Sequence, residues 1–307
     1  MRFGLTTSSP QIAIFAFNRP KHLSECLSSL EKCTGFQNYE GTIFIEGARN
    51  EFEKSLVEEC YVVADNFANE HHFNVIKRQS NLGLARSIRS GIDQIFESSS
   101  SIIVIEDDLV LHSGFLEFVS SGLAKYVNEK KVASISGYQY PIHRTPTSPV
   151  FLLGADCWGW GTWSDRWNDT NFDAPSLIHE IRERNLVHQF NLDGTNNYTG
   201  MLEQLVNGDI DSWAVPWHAS MYLQNRLTLY PPTSFVSNEG GDGSGTHFGI
   251  SNTYSQELRV TVTTAFPDHI AESNLFREDL CKFYIDNRVK FSIFARVKNK
   301  IIRILNQ

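Results

Sequence analysis

Three consecutive carboxylates follow a short apolar segment of this chain. Glu106, Asp107 and Asp108 come directly after 102–105, and apolar residues resume at 109–111. Adjacent acids raise one another's pKa, so such a cluster must be exposed or neutralised by a cation. Mg²⁺ and Mn²⁺ prefer oxygen ligands, and Mg²⁺ takes one or two carboxylates together with water and phosphate oxygens. The triplet therefore predicts a metal–phosphate site, with a solvated acidic turn as the alternative.

The position of these acids depends on the strand before them. Residues 102–105 are β-branched or apolar throughout, which is typical of a strand buried on both faces. The acids then lie at the carboxyl end of that strand, where open α/β sheets bind their ligands.

Strand and helix patterns alternate through the first half of the chain. The predicted strands are 11–17, 42–45, 73–77, the segment ending at the triplet, and 132–137. The predicted helices are 21–33, 53–69, 84–96 and 112–128. This alternation predicts parallel strands joined by right-handed crossovers.

After residue 137 the alternation stops. We expect an aromatic loop at 139–173, helices at 175–190 and 197–206, a helical stretch ending at residue 225, an extended segment at 230–238 and a glycine-rich loop at 239–247. We therefore expect a sheet of the nucleotide-binding type in the first half of the chain, followed by an acceptor-binding or lid region.

The composition narrows the class of protein. The 307 residues are 41% hydrophobic and 20% charged, which is inconsistent with disorder. A net charge of −8 argues against a general nucleic-acid binder. The five cysteines form no Cys-x-x-Cys pair, and the chain shows neither a signal peptide nor a long apolar segment. We therefore expect a cytoplasmic protein.

Several segments together resemble glycosyltransferases of the GT-A fold. They are Ile12-Ala-Ile-Phe-Ala-Phe-Asn-Arg-Pro20, Asn81-Leu-Gly-Leu-Ala-Arg86, Val104-Ile-Glu-Asp-Asp-Leu109 with Gly114-Phe-Leu-Glu-Phe118, and Gly159-Trp-Gly-Thr-Trp163. The resemblance is closest to family 2-like enzymes and the N-acetylglucosaminyltransferase I branch. It covers most of residues 11–247, whereas the last sixty residues match nothing recognisable.

This resemblance implies an α/β fold with a Rossmann-like, mostly parallel central sheet flanked by helices. A catalytic domain would cover 1–250, with a nucleotide-sugar half at 1–137 and an acceptor half at 138–250. A C-terminal extension would cover 251–307.

The implied activity is a metal-dependent transfer of a sugar from a nucleotide-sugar to a glycan or lipid-linked glycan. The donor would be a UDP-sugar, the cofactor Mn²⁺ or Mg²⁺, the outcome inversion and the setting surface polysaccharide biosynthesis. One alternative is a nucleotidyltransferase acting on sugar phosphates, although no glycine-rich pyrophosphate loop follows the first strand. The other is a non-catalytic glycan-binding module.

The resemblance also implies roles for individual residues. Asp108 is the expected metal ligand, and Asp107 a contact to the ribose or to a metal-bound water. Glu46 would lie near the nucleoside, with a solvated loop residue as its alternative. His247 would complete the metal shell and favour Mn²⁺, and its alternative is an exposed loop histidine.

Two arginines are placed to meet a nucleotide diphosphate. Arg86 begins the helix after the Asn-Leu-Gly loop, where preceding amides could assist it. Arg19 follows the first strand. A surface salt bridge is the alternative for Arg86 and for nearby Arg89, and a loop cation is the alternative for Arg19.

Inverting transfer needs a carboxylate that takes the proton from the acceptor hydroxyl. Asp211, in Asp-Ile-Asp-Ser-Trp before a predicted helix, is the candidate base, and Asp209 is a weaker one. The alternative for either acid is a helix N-cap. The prediction of inversion depends on Asp211.

Tryptophans at 158, 160 and 163 suit a sugar-binding wall, because pyranose faces lie against indole rings. We expect contacts from Trp158 and Trp160 above all, with core packing as the alternative. His218 and His143 are weaker candidates that pack or line the cleft.

Residues 288–305 alternate basic and apolar side chains without an acid. This pattern predicts a basic amphipathic helix that contacts the inner face of a membrane, or one that docks on its own domain or on a second subunit.

Overall fold

The computed structural model describes residues 9–243, 253–254, 258 and 265–287. His247 and the basic segment 288–305 lie outside the described residues. No helix in the described ranges combines the length and apolarity that a bilayer span requires.

The strands β1 to β10 are, in order, Gln11–Ala16, Gly41–Ile45, Phe73–Lys77, Ser101–Glu106, Leu109–Leu111, Val132–Ser136, Val150–Leu153, Trp160–Trp163, Leu227–Tyr230 and Val236–Asn238. The helices α1 to α9 are Pro20–Glu31, Lys54–Glu70, Leu84–Phe96, Phe115–Lys125, Ser164–Asn168, Ala174–Glu183, Val187–Phe190, Tyr198–Val206 and Ala214–Leu223. A further helix covers 274–287.

The central sheet has eight strands in the order β3-β2-β1-β4-β8-β6-β9-β7. Neighbouring strands from β3 to β4 are parallel, β6 and β9 are parallel, and β7 and β8 run in the opposite direction. Strands β5 and β10 form a separate antiparallel pair. The predicted α/β class with a mostly parallel, helix-flanked sheet is confirmed.

The chain reverses its direction across the sheet between β1 and β4. Strands β2 and β3 lie on one side of β1, whereas β4 lies on the other. Ile12 and Ile14 pack in the core that contains α1 and α2, whereas Ala13 and Phe15 pack in the core that contains α3. This alternation places helices on both faces, so the carboxyl ends of β1 and β4 flank a topological switch point, where such sheets bind ligands.

The predicted loop at 139–173 is wrong, because it contains β7, β8 and α5. Strand β8 is buried on both faces, and its glycine admits it between β4 and α4. A Cβ on Gly161 would lie 3.0 Å from the Ile102 carbonyl oxygen and 2.7 Å from the Val119 side chain. Alternating glycine and tryptophan resembles a loop in sequence, yet here it permits close packing of a central strand.

The predicted helix at 175–190 is interrupted. Helix α6 ends at Glu183, and Asn185 adopts a left-handed φ of 55° before α7 begins at Val187. The predicted extended segment at 230–238 holds the end of β9 and all of β10, with bends at 232–233 and 235 between them.

Residues 265–287 pack against the β7 edge of the sheet. The Ser273 amide donates a hydrogen bond to the Phe151 carbonyl oxygen at 2.8 Å. The helix 274–287 buries Phe276 and Leu280 against Leu152 and Tyr230. This part of the C-terminal extension is therefore in direct contact with the central sheet.

Candidate active site at the carboxyl ends of β1 and β4

The acidic triplet lies at the switch point, beside the end of β1. Phe15 pairs with Glu106 in the sheet, and the Asp107 amide donates to the Phe15 carbonyl oxygen at 3.0 Å. Arg19, which follows β1, pairs with the buried Asp107 carboxylate, and its Nη1 lies 3.0 Å from Asp108 Oδ2. Thus Arg19, Asp107 and Asp108 lie in one cluster at the carboxyl ends of β1 and β4.

The acidic groups of this cluster outnumber the single positive charge of Arg19. Burial, together with Asp108 and Asp107, raises the pKa of Glu106 to about 8. Burial also raises the pKa of Asp107 to about 6, with Arg19 opposing the change. Burial lowers the pKa of Arg19, but attraction to Asp107 and Asp108 outweighs it and the pKa is raised. Three carboxylates thus share one arginine in a poorly solvated setting.

Asp108 is the member of the triplet best placed to meet an ion. Its side chain is 15% exposed, whereas that of Asp107 is 3% exposed. The Glu239 amide donates to the Asp108 carbonyl oxygen at 2.8 Å, and a Cβ on Gly240 would lie 2.4 Å from Asp108 Oδ2. The start of the predicted glycine-rich loop therefore passes directly over this carboxylate.

The donor set fits a hard divalent cation. Carboxylate oxygens are the ligands that Mg²⁺ and Mn²⁺ accept, and the excess negative charge favours a further cation. Within the described ranges, no group of three or more His, Cys, Asp or Glu side chains is arranged as metal ligands.

Glu46 directly follows β2 and is buried, so the alternative of a solvated loop residue is wrong. Its Oε1 accepts hydrogen bonds from the amides of Gly47 and Leu82, both at 3.0 Å. Its Oε2 is buried without a hydrogen-bond partner, 4.0 Å from Arg78 Nε, which also lacks one. Glu46 thus fixes the Asn-Leu-Gly loop and retains one unpaired oxygen.

Arg78 was missed by the sequence analysis, although it directly follows β3 at the same edge of the sheet. Its Nη2 donates to the Ser87 carbonyl oxygen and to Ser90 Oγ, both at 3.0 Å. A cation immediately after a predicted parallel strand was the signal that could have identified it.

Asp211 lies at the N-terminus of α3, the helix that packs on β1 and β4. Both of its carboxylate oxygens are 3.4 Å from the Ala85 amide nitrogen. Gly83 has a φ of 80°, and a Cβ there would lie 2.7 Å from Asp211 Oδ2. The amides that we expected to face a diphosphate therefore face this carboxylate.

The N-cap alternative for Asp211 is wrong for its own helix. Helix α9 begins at Ala214, and the Val215 amide donates to Ser212 Oγ at 3.5 Å instead. Asp211 is exposed, as is Asp209.

The two arginines of α3 differ in their surroundings. The Arg86 side chain is exposed, and no hydrogen bond or ion pair joins its guanidinium to another residue in the described part of the chain. Arg89 lies over the Phe172 ring, with Cζ 4.1 Å from the ring centroid. Arg86 thus remains available to an anion, whereas Arg89 packs on an aromatic ring.

The tryptophans occupy two different environments. Trp158 is partly exposed and meets the rings of Tyr138 and Tyr254 edge-on, with centroids 4.7 and 5.2 Å apart. Trp160 is fully buried and stacks on Trp213 at 5.3 Å. The prediction that Trp160 contacts a sugar is therefore wrong, because neither face of its ring reaches solvent. Trp163 is also buried.

Trp158 precedes β8, the strand that pairs with β4 beside the triplet. Val104 of β4 pairs with Trp160 of β8 in antiparallel register. The ladder ends at this pair, and Gly159, between Trp158 and β8, has a left-handed φ of 60°. The carboxyl end of β4 and the amino end of β8 therefore bring the indole and the acids to the same edge.

Asp156 is a second acid at this edge that the sequence analysis missed. It is 7% exposed, and its carboxylate accepts hydrogen bonds from the Cys157 amide at 2.7 Å and from the Tyr230 hydroxyl at 3.2 Å. Burial raises the pKa of Asp156. Tyr230 is distant in sequence from Asp156. The only indication of this buried environment in the sequence was the position of Asp156 within an aromatic segment.

The weaker histidine candidates lie elsewhere. His218 packs against the rings of Phe190 and Tyr198, and burial lowers its pKa to about 4. His143 is exposed, with Nε2 3.3 Å from Asp286 Oδ2. His218 is thus a packing residue, and His143 is a surface residue.

Comparison with known proteins gives a limited result. No family model matches this sequence, and no curated protein matches it. A solved structure similar to this chain is the mannosyltransferase PcManGT from Pyrobaculum calidifontis in complex with GDP-Man and Mn²⁺. It has a TM-score of 0.37 and 9% identity, covering 71% of this chain and 70% of that one.

Two further similar structures belong to other enzymes. A UDP-glucose pyrophosphorylase complexed with UDP-glucose has a TM-score of 0.39 and 10% identity, covering 75% of this chain and 94% of that one. Glucosyl-3-phosphoglycerate synthase from Mycobacterium tuberculosis, with Mn²⁺, UDP and its product, has a TM-score of 0.36 and 12% identity, covering 61% and 73%. Similarities this low assign neither an activity nor a ligand to this chain.

Proposed function

We propose that this protein is a metal-dependent glycosyltransferase that moves a sugar from a nucleotide-sugar, with a UDP-sugar as the first candidate, to a glycan or lipid-linked glycan. The observation that carries the proposal is the Arg19–Asp107–Asp108 cluster at the β1/β4 switch point. An anion-binding arginine and an excess of carboxylates at one sheet edge suit a diphosphate held together with a divalent cation.

In this proposal Asp108 holds Mn²⁺ or Mg²⁺, and His247 is a further candidate ligand from outside the described residues. When bound, the ion neutralises charge that develops on the departing nucleotide. Asp107, fixed by Arg19 and by the Phe17 amide at 3.4 Å, orients the ribose or a water of the ion.

The nucleoside end of the donor would lie toward β2 and β3. Glu46 has one carboxylate oxygen there without a hydrogen bond, 4.0 Å from Arg78 Nε, and it holds the loop that leads into α3. Arg86 projects from the first turn of that helix without a partner among the described residues, so it can reach a phosphate.

Asp211 is the proposed general base for transfer with inversion. Its carboxylate is exposed, and contact with the N-terminus of α3, which packs on β1 and β4, holds it at the carboxyl edge of the sheet. From there it would accept the proton of the attacking acceptor hydroxyl.

The acceptor and the cellular setting are proposed from the sequence. An enzyme of surface polysaccharide assembly in the cytoplasm would suit the acidic composition, and 288–305 would bring it to the inner face of a membrane or to a second subunit.

Product analysis tests the proposal. The protein would be incubated with Mn²⁺ and UDP- and GDP-sugars, and the nucleotide products separated by chromatography. We expect release of a nucleoside diphosphate, which Asp108→Ala abolishes and Glu117→Ala, an exposed acid on α4, does not. Pyrophosphate-dependent formation of a nucleoside triphosphate would instead identify a nucleotidyltransferase.

A further inference from the structure

The exposed side of α3 carries an arginine that no acid in the described ranges neutralises. Arg89 is exposed, and its guanidinium makes no hydrogen bond and no ion pair with any residue of those ranges. It lies instead over the Phe172 ring, with Cζ 4.1 Å from the ring centroid. In a chain with a net charge of −8, a cation without an acidic partner is available to an external anion.

The acids nearest in sequence to Arg89 and to Phe172 have other partners. Asp93 is four residues after Arg89 on α3, a spacing that favours an ion pair on a helix. Its Oδ1 nevertheless accepts a hydrogen bond from the Trp167 indole N–H at 2.7 Å. Asp173, next to Phe172, caps the N-terminus of α6. Neither acid therefore satisfies the Arg89 guanidinium.

Phe172 forms a fixed support for this guanidinium. Its ring meets the Trp167 indole edge-on, with centroids 5.1 Å apart, and the preceding Asn171 amide donates to Ser220 Oγ at 2.9 Å. Because Trp167 is hydrogen-bonded to α3, the ring and the helix that carries Arg89 are held together. A guanidinium donates its N–H groups within its own plane, where phosphate and carboxylate oxygens bind.

Arg89 is one helical turn from the contact made by the candidate base. Asp211 contacts the Ala85 amide in the first turn of α3, and Arg89 is four residues further along, about 6 Å of helix. The Cα–Cβ bonds of a helix tilt toward its N-terminus, which directs residue 89 toward that first turn. A molecule whose hydroxyl meets Asp211 can therefore carry an anionic group within reach of Arg89.

We propose that Arg89, supported by Phe172, binds a phosphate or carboxylate group of the acceptor and selects an acceptor sugar that carries such a group. This inference rests on the proposed function, which assigns the acceptor hydroxyl to Asp211 and the donor phosphate to Arg86. It adds the charge class of the acceptor and a specificity-determining role for Arg89.

Titration calorimetry with three glycosides tests the inference. The protein would first be saturated with UDP and Mn²⁺, so that the donor site is occupied. It would then be titrated with methyl glucoside, methyl glucuronide and methyl glucoside 6-phosphate, of which the last two distinguish a carboxylate from a phosphate. We expect at least one anionic compound to bind about tenfold more tightly than the neutral one, as one hydrogen bond to a charged group provides.

Three variants separate the subsite from a general effect of charge. Arg89→Gln should abolish the preference for the anionic compound and leave binding of the neutral glycoside unchanged. Arg182→Gln is the matched control, because it removes an exposed arginine of α6 that pairs with Glu203, and it should retain the preference. Phe172→Leu keeps the Arg89 charge without the aromatic ring and should reduce the preference without abolishing it.

The outcomes distinguish this inference from the proposed function. Equal binding of neutral and anionic glycosides, no binding of either anionic glycoside, or a preference that Arg89→Gln retains would overturn the subsite. Loss of the preference in Arg182→Gln as well would identify a long-range charge effect and would also overturn it. The UDP titration with Mn²⁺ that precedes each experiment tests the proposed function separately. If UDP fails to bind while Arg89→Gln removes the preference, the donor assignment is rejected and the anion subsite stands.

Discussion

Arg19 Nη1 lies 3.0 Å from Asp108 Oδ2 across the crevice between β1 and β4, while the same guanidinium pairs with the buried Asp107. One cation thus faces three adjacent acids, counting Glu106. The arrangement is electrostatically costly in the absence of a ligand, which is expected where a site is shaped for binding rather than for stability.

Asp108→Asn should therefore separate stability from activity. Removing one negative charge relieves repulsion with Asp107, and the Asn oxygen can still accept from Arg19, so the free energy of unfolding should rise by about 1 kcal/mol without added metal. Turnover of the nucleotide-sugar should be lost. Urea denaturation and product release measure the two effects. A variant that is less stable than wild type would contradict this account of the cluster.

Gly83→Ala should destabilise the protein and reduce turnover. Alanine there must adopt a φ of 80° and would also press its Cβ against Asp211 Oδ2, 2.7 Å away. Gly208→Ala is the matched control, since Gly208 has a φ of 77° and nothing within 4 Å of the added Cβ.

Both glycine variants should lose about 1 kcal/mol of unfolding free energy through backbone strain. Gly83→Ala should also displace the Asp211 side chain. We expect the control to retain turnover. Equal losses of stability and turnover in both variants would show that the contact with Asp211 is unimportant.

Replacing Asp211 by Ala should reduce sugar transfer by at least about a hundredfold, the usual contribution of a general base. Asp209→Ala, an exposed acid two residues away, should retain transfer. Steady-state rates at saturating donor measure the difference. A fully active Asp211→Ala variant would exclude Asp211 as the general base, and the argument for inversion would then fail.

Acid should destabilise the protein through His218. Burial lowers the folded-state pKa of His218 to about 4, below the ordinary value of 6.5 for a histidine, so the unfolded chain binds the proton first as pH falls. This contribution to the free energy of unfolding is fully present above the unfolded pKa and is lost between about pH 6.5 and pH 4, which costs about 3 kcal/mol.

The measurement is thermal unfolding from pH 7 to pH 4.5, with His218→Gln as the comparison. The variant lacks the imidazole, so its unfolding temperature should fall less over this interval. Parallel pH profiles would contradict the assignment of this effect to His218.

Trp158 and Trp160 should respond differently to replacement by alanine. Trp160→Ala opens a cavity among stacked indoles and should cost about 3 to 5 kcal/mol in unfolding free energy. Trp158→Ala should cost less, because the residue is partly exposed, and should weaken acceptor use. Chemical denaturation of both variants checks the ranking. The reverse order would contradict the burial described for these residues.

Much of the nucleotide half could be predicted from the sequence. The predicted strand at 73–77 and helix at 84–96 coincide with β3 and α3, because apolar periodicity and the flanking glycine define them locally. Arg19 and the triplet come together because the carboxyl ends of neighbouring parallel strands share one edge.

The remaining features depend on contacts between distant residues. Asp211 reaches Ala85 across 126 positions, and Asp156 reaches Tyr230 across 74. Periodicity within one element carries no information about such pairs. Strand β8 was missed because its ladder partners β4 and β6, and the helix side chains that cover its faces, are distant in sequence, so its glycines and tryptophans do not reveal them locally.

The most direct test of the central claim is thermal unfolding with UDP or GDP, with and without Mn²⁺, for the wild-type protein and Asp108→Ala. We predict that one nucleotide stabilises the wild type in a Mn²⁺-dependent manner, by about 3 kcal/mol at a hundredfold excess over its Kd, and that Asp108→Ala loses this stabilisation. The absence of a Mn²⁺-dependent shift with either nucleotide, or an undiminished shift in Asp108→Ala, would contradict a metal–diphosphate site at the triplet.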